Sequence, residues 1–332
     1  MKNRREFLKS AATGAVLVGA GSKLGLADAL QKHAASAQSR VVVARDAGLH
    51  EASGTQPDEK RVLALLDKAM AAYTGREKPL EAWQQIIPRG KIIGIKVNGL
   101  GGRGISTHAV LINAISERLQ QAGVPAGNIV VWDRNARDLI ACGMTINTDR
   151  NRVRCYGSDI AGFEDQAVAC GSALLRLSQI LTRDCGMVIS VPILKDHGSA
   201  GLTFTMKNMY GVVDHPNLLH GNHCNPGVAD LNALPTVRDK VCFTIGDALS
   251  SVYDRGPGFN PEYMWYPNAL IIGQDRVAVD SIALQMLDRK RVQEGLPTLR
   301  ADGREPAYIA TAANAAHRLG TNDPRHIHLM EV

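Results

Sequence analysis

Lys91-Ile-Ile-Gly-Ile-Lys-Val97, then Asn98-Gly-Leu-Gly-Gly-Arg-Gly104 and Ser106-Thr-His108, is the stretch that decides the fold. The first segment is an almost unbroken apolar run rich in β-branched residues, as expected of a strand buried on both faces of a parallel sheet. A glycine-rich loop follows. Ser106 or Thr107 stands where a helix N-cap is wanted, ahead of an expected helix over residues 108–122 that Gly123 ends. Residues 128–132 read as the next strand, with Asp133 just past its C-terminal end. Together these segments predict a β-loop-α-β unit.

Working outward, Val41-Val42-Val43 reads as a first strand and residues 46–58 as loop. Over residues 61–73, Val62, Leu65, Leu66, Ala69, Met70 and Tyr73 fall on one helical face, with Gly75 as a stop. Downstream the pattern predicts a short strand over residues 153–156, a helix over 173–181 and a strand over 187–191. After Pro192 a long polar stretch rich in Lys, His, Asn and Gly extends to about Asn225 and reads as loop. A helix is expected over 228–234, strands over 241–245 and 269–272, and helices over 276–287 and 306–318. No internal repeat or low-complexity segment interrupts this order. The expected fold class is α/β, a mostly parallel sheet with helices on both faces. Ligands sit at the C-terminal ends of strands in such sheets, and Asn98, Asp133, Lys195, Asp247 and Asp275 all fall at expected strand ends.

The N-terminus carries a different kind of signal. Arg4-Arg5-Glu6-Phe7-Leu8-Lys9 precedes an apolar run from Ala11 to Ala20, the form of a twin-arginine export leader. That run falls short of the roughly 20 apolar residues a bilayer span needs. Ala35-Ser36-Ala37 fits a small-x-small cleavage site, with an earlier cut near Ala27 as the alternative. The expectation is a signal peptide over residues 1–37 and a single domain over 38–332. The twin-arginine translocase would be the partner during export, and the folded protein would end in the periplasm or another extracytoplasmic space with no stable membrane span after cleavage. An uncleaved anchor or a plain amphipathic helix is the competing reading.

Composition narrows the partners. The chain of 332 residues has 38 Lys and Arg against 32 Asp and Glu, net +6. Residues 1–37 hold six of the basic and two of the acidic residues, which leaves 32 against 30, or +2, for the remainder. With no basic tract and no interleaved aromatic run, nucleic acid is not an expected partner. The six cysteines, Cys142, Cys155, Cys170, Cys185, Cys224 and Cys242, form no C-x-x-C. Zinc-ribbon and ferredoxin spacings are therefore missing. Disulfides are permitted in an oxidising compartment, but all except Cys224 read most simply as buried small hydrophobes.

Four groups of residues carry candidate chemistry. The loop over residues 96–108, with Lys96, Asn98, Gly101 and Gly102, suits either an anion held at a helix N-terminus or a tight structural turn. It matches neither a Walker loop nor G-x-G-x-x-G. Lys195 and His197, with Lys207 and Asn208 shortly after, suit anion binding or proton transfer; solvated loop lysines are the plain alternative. The third group is His215, His220, His223 and Cys224. Imidazole and thiolate donors suit zinc, copper or iron, so a transition metal ion is a candidate cofactor; H-x4-H-x2-H-C is not a standard motif, and a polar loop whose histidines cap and hydrogen-bond is the plain alternative. Neighbouring His223 and Cys224 would point to opposite faces of a regular strand. The last group is acidic: Asp247 after a strand, Asp254, and Asp275 with Asp280 around a helix start, where Asp275 reads as an N-cap.

These residues also carry a resemblance. Ile95-Lys-Val-Asn-Gly-Leu-Gly-Gly102, Leu194-Lys-Asp-His-Gly198, Met206-Lys-Asn-Met-Tyr-Gly211, His220-Gly-Asn-His-Cys-Asn-Pro226, Leu231-Asn-Ala-Leu-Pro235, Ile245-Gly-Asp-Ala-Leu249, Gly256-Pro-Gly258 and Asp275-Arg-Val-Ala-Val-Asp280 resemble the domain of unknown function family 362. More closely, they look like its branch with twin-arginine leaders. The likeness covers about residues 90–290 and implies an α/β domain. Some relatives look fused to ferredoxin-type modules, which implies redox or metal chemistry; this chain lacks such a module, so no iron–sulfur cluster is carried over. The matching positions are Lys96, Asn98, Lys195, His197, Lys207, Asn208, His220, Asn222, Cys224, Asp247 and Asp280.

The leading functional expectation is an exported, metal-dependent and redox-capable enzyme acting on a small anionic molecule. Lys195, His197, Lys207 and Asn208 would be catalytic. Lys96, Asn98, Gly101, Gly102 and Asp247 would bind substrate, and His215, His220, His223 and Cys224 would hold the metal. The alternative is a non-catalytic periplasmic factor that binds an anion or metal or assembles a cofactor. An enzyme should gather its lysines and histidines in one cleft, whereas a carrier should expose Cys224. A third reading takes Cys224 as a lone reactive thiol.

Overall fold

The apolar runs pair into a sheet of eleven strands, seen here in a computed structural model that describes residues 38–50 and 56–332. The expected leader and its cleavage site lie outside the described residues. The strands that matter are β1 (Ser39–Arg45), β2 (Ile93–Val97), β3 (Ile129–Trp132), β4 (Arg154–Cys155), β5 (Met187–Val191), β6 (Ile193–His197), β7 (Gly201–Thr203), β8 (Val241–Val252), β9 (Ala269–Gly273) and β10 (Ile327–Glu331). Their main path runs β10-β1-β9-β8-β5-β2-β3-β4. Every pairing along it is parallel except those of β9, which runs antiparallel to both β1 and β8.

Side-chain alternation divides the core into two layers. Val42, Ile129, Val131, Ile189 and Ile272 pack on one face with helices α1 (Glu59–Thr74) and α2 (Ala109–Gln121). Val41, Val130, Trp132, Val188 and Ile271 pack on the other, with α3 (Arg276–Gln293). The fold is thus α/β with a mostly parallel sheet and helices on both faces. The buried side of α1 consists of the six residues its periodicity predicts, and Gly75 closes it in the left-handed region. Among the described residues no helix is long and apolar enough to cross a membrane.

Several local expectations are corrected. Residues 173–181 do not form a helix: Val168–Cys170 and Ala173–Leu175 form a hairpin, and a helical turn covers Ile180–Asp184. The signal lies in burial that alternates from Ala173 to Leu177, a period of two rather than 3.6. The polar stretch after Pro192 contains β6 and β7 and is largely buried, because Leu194, Phe204, Met206, Met209 and Val212 punctuate its polar residues. β8 runs on to Val252, so Asp247 sits inside a strand rather than after one. The expected C-terminal helix shrinks to Tyr308–Ala313. The cap of α2 is His108, not Ser106 or Thr107; the Thr107 hydroxyl instead donates to the Val191 carbonyl and receives the Asn98 amide.

Gly94 shows how closely the layers meet. A Cβ there would lie 2.6 Å from Cys185 Sγ and 3.1 Å from Trp132 Nε1. Gly94→Ala is expected to destabilise the protein by about 1–3 kcal/mol through overpacking, read as a lowered thermal midpoint; an unchanged midpoint would show that the Trp132 layer yields.

Candidate functional site

From β2 the chain winds outward through β3 to β4, then returns to β5 on the other side of β2. The winding direction reverses between β2 and β5, and in open α/β sheets ligands occupy the crevice outside the C-terminal ends of the strands at such a point. Lys96 and Ser190 face each other there in the β2–β5 register.

Lys96 is engaged within the fold. Its side chain is 1% exposed, and Nζ donates to Asp133 Oδ1 at 2.7 Å, to the Val97 carbonyl at 2.6 Å and to Asn208 Oδ1 at 3.3 Å. All three ammonium protons are used. Burial pushes its pKa below the ordinary lysine value, while the Asp133 charge opposes that shift. Asn208 is equally committed: its amide donates to the Lys96 carbonyl and to Ser190 Oγ. Asp133 Oδ2 receives the Gly99 amide at 2.7 Å, which ties the glycine loop to the end of β3. Lys96 and Asn208, expected as substrate and catalytic residues, are thus positioning residues.

The glycines follow the same logic. A Cβ on Gly101 would lie 2.2 Å from the Ile105 carbonyl oxygen, and Gly102 has φ +64°, so the turn itself demands both. The helix N-terminus has an internal anion as well. Asp247, fully buried in β8, receives the backbone amide of His108 at 2.8 Å and lies 2.9 Å from its Nδ1. Asp247 is therefore occupied in holding His108 rather than open to substrate.

Lys195 is different. It is 1% exposed, and its Nζ donates to two neutral oxygens, Ile105 O at 3.1 Å and Asn98 Oδ1 at 3.4 Å. Among the described residues no carboxylate forms an ion pair with it. Burial pushes its pKa down to about 7, with Asp133 opposing and Lys207 assisting. Lys207 stands over the Tyr210 ring, 4.4 Å from its centroid, and its Nζ lies 3.4 Å from His220 Nε2. Burial brings its pKa down to about 8. His220 Nδ1 faces the Pro216 carbonyl at 3.0 Å, which assigns the ring proton to Nδ1 and a lone pair to Nε2.

His197 completes the group, its ring centroid 6.2 Å from that of His220. Its Nδ1 accepts the Ser199 and Ala200 amides, so the proton sits on Nε2. Burial first, then the charges of Lys207, His220 and Lys195, push its pKa down to about 3. It is a neutral donor throughout the physiological range. Lys195 and His197 project from one side of β6 because Asp196 is anchored on the other. Asp196 Oδ1 accepts from Arg304 at 2.7 Å and Oδ2 from the Gly256 amide at 2.9 Å. Just ahead of Lys207, the amides of Thr205 and Met206 donate to the fully buried Asp280.

The four expected metal ligands do not converge. His215 is exposed and pairs with Asp214, His220 engages Lys207 and Pro216, and His223 Nδ1 donates to the Ser199 carbonyl. Cys224 is wholly buried. Asn222, His223 and Cys224 have φ of 49°, 55° and 63°, a left-handed turn that sends His223 outward and Cys224 inward. Among the described residues no group of three His, Cys, Asp or Glu is placed to hold a metal ion. Burial also removes Cys224 from the surface that a carrier or a reactive thiol would need. All six cysteines are free thiols. The residues that sequence reasoning missed are Ser190, Tyr210, His108 and Arg304. Tyr210 was accessible as the aromatic three positions after Lys207, whereas Arg304 lies more than a hundred residues from the strand it anchors and carries no local signal.

Two cavities lie elsewhere, one of about 650 Å³ beside Ser116, Gln120 and Met144, and one of about 280 Å³ beside Arg154, Tyr156 and Arg183. Neither is lined by a lysine or histidine of the cluster. The crevice holds two buried lysines, Lys195 and Lys207, for which no ion pair with a carboxylate forms among the described residues.

A family model, described as Domain of unknown function (DUF362), matches residues 93–285. No curated protein matches the chain. A crystal structure of a protein from Thermotoga maritima, solved by a structural genomics consortium, is similar at a TM-score of 0.45 and 12% identity, over 71% of this chain and 60% of that one. The chain thus spans less than two thirds of that protein's length.

Replacing Lys96 by Met is expected to cost about 3–5 kcal/mol in chemical denaturation, because it leaves the Asp133 carboxylate buried without its partner. A loss below 1 kcal/mol would show that Asp133 is adequately held by the Gly99 and Arg134 amides alone.

Proposed function

The chain belongs to the Domain of unknown function (DUF362) family, and from its own side chains we propose that it is an exported enzyme. It binds a small anion between Lys195, Lys207 and His197 and moves protons with these groups. The observation that carries this reading is Lys195, a buried ammonium at the sheet's switch point with neutral oxygens as its hydrogen-bond partners. Burying an unpaired charge is costly, and an incoming anion offsets that cost. Near neutral pH a lysine whose pKa is about 7 exists in both protonation states, the condition under which a general base works best. His197 Nε2–H supplies a neutral donor to the same anion. The role of the leader is to carry the folded protein across the membrane. This reading uses no metal, because the side chains expected to ligate one do not converge among the described residues.

Anion affinity should follow the lysine charges. Below about pH 7 both lysines are cationic and binding is strongest; above pH 8 both lose their protons and affinity falls by roughly tenfold per pH unit for each linked proton. Calorimetry with oxalate and sulfate in buffers of different ionisation enthalpy is expected to show net proton uptake at pH 8 and little at pH 6. Loss of uptake in Lys195→Met would support the assignment; pH-independent binding, or binding as tight as the wild type's in both Lys195→Met and Lys207→Met, would overturn it.

The export proposal has its own test. Arg4→Lys with Arg5→Lys is expected to leave the precursor uncut inside the cell; unchanged periplasmic yield of the cut form would refute it.

A further inference from the structure

We propose that Ser250, His108 and Asp247 form a second reactive centre, a serine hydroxyl activated by a histidine that an aspartate holds, which accepts the acyl group of a small activated ester. Ser250 Oγ lies 3.2 Å from His108 Nε2, and His108 Nδ1 lies 2.9 Å and 3.1 Å from the two oxygens of Asp247. The carboxylate can only accept, so Nδ1 carries the ring proton and the Nε2 lone pair faces the hydroxyl. Asp247 also receives the His108 backbone amide, which fixes the ring from two points. This is the order of contacts that nucleophile activation requires: nucleophile to base, then base to an orienting acid.

The strand is built to permit it. In a regular strand Asp247 and Ser250, three positions apart, would point to opposite faces. Here five steps of β8, from Asp247 to Val252, match only two of β6, from Ile193 to Lys195. Such a bulge re-aims side chains, and it brings both residues to one imidazole. A second observation points to a polar ligand. His50, 9% exposed, binds Asn268 through Nδ1, is electrostatically coupled to His108 and Asp247, and leaves Nε2 buried with no partner among the described residues. A buried polar atom left without a partner is costly, and a bound polar molecule would satisfy it.

In the step, Ser250 Oγ attacks the ester carbonyl carbon while its proton passes to His108 Nε2. The carbonyl re-forms as the bond to the leaving oxygen breaks, and His108 returns its proton to that oxygen. Water then repeats the sequence on acyl-Ser250 and releases the acid. Ser250 is 3% exposed, so the acyl donor must be small. This centre shares His108, Asp247 and the glycine loop with the edge of the lysine crevice but uses none of Lys195, His197, Lys207 and His220.

The test is p-nitrophenyl acetate on the whole protein, with acid quench and mapping of the acetylated residue by mass spectrometry. The expected result is acetyl on Ser250 with a burst of p-nitrophenolate. His108→Gln should slow the burst at least 100-fold, Asp247→Asn should slow it at least tenfold, and Ser250→Ala should abolish it. Two groups face His108, the Asp247 carboxylate and the neutral His50. Burial opposes protonation of His108, but the Asp247 charge and hydrogen bond outweigh it and lift its pKa above 6.5. The burst rate should therefore rise with pH through a midpoint above 6.5. Wild-type protein acetylated at Lys195 but not at Ser250 would overturn this proposal and leave the lysine reading standing. Acetylation of Ser250 that is unchanged in His108→Gln would overturn it as well.

Discussion

A buried ammonium joined to a buried carboxylate, Lys96 with Asp133, is the interaction on which the rest of the crevice depends. Such pairs contribute little net stability, because desolvation cancels much of their attraction, but they tolerate very little change in geometry. This pair connects the end of β2 to the end of β3. Through the Gly99 amide it seats the glycine loop, and through Asn208 and Ser190 it brings the segment after Phe204 beneath β5. Because Lys96 is fully satisfied within the fold, the electrostatic demand of the crevice falls on the two lysines that are not.

Those two lysines owe their position to carboxylates that never face the crevice. Asp196 holds β6 from behind through Arg304 and the Gly256 amide, and Arg304 in turn shares Asp254 and Asp302 with Arg291. Asp280 on α3 receives the two amides ahead of Lys207, and burial pushes its own pKa up to about 7. The site is thus arranged in depth, with anions anchoring the backbone and cations hanging from it toward the strand ends. Burial is the largest cause of lysines and histidines whose charges are easily lost, and the neighbouring cations of the cluster push His197, His220 and Lys195 the same way.

The same economy explains why residues of similar type divide between roles. Three histidines lie within nine residues of one another, yet His215 and His223 serve the surface and only His220 meets a lysine. The left-handed turn from Asn222 to Cys224 separates neighbours that the linear order places side by side. Left-handed backbone costs about 1–2 kcal/mol per non-glycine residue, and the local hydrogen bond from the Asn222 side chain to the Asn225 carbonyl helps to hold it.

Much of the architecture was legible in the chain itself. The buried face of α1, the limits of β5, the β-loop-α-β unit and the Asp275 cap all follow from local periodicity and capping chemistry, which act over a few residues and so are written in consecutive letters. The chain also marked Lys195, His197, Lys207 and Asn208 as one group, because both lysines stand in otherwise uncharged surroundings, but it set His220 apart as an expected metal ligand. It could not say that Lys96 and Asn208 would be consumed by structure, that Asp247 would turn to His108, or that Arg304 would hold β6. Each of those outcomes depends on a partner supplied by a distant segment and on which face of a bulged strand a side chain occupies. Only the tertiary structure decides which charges are satisfied from within and which, like that of Lys195, are left with neutral partners.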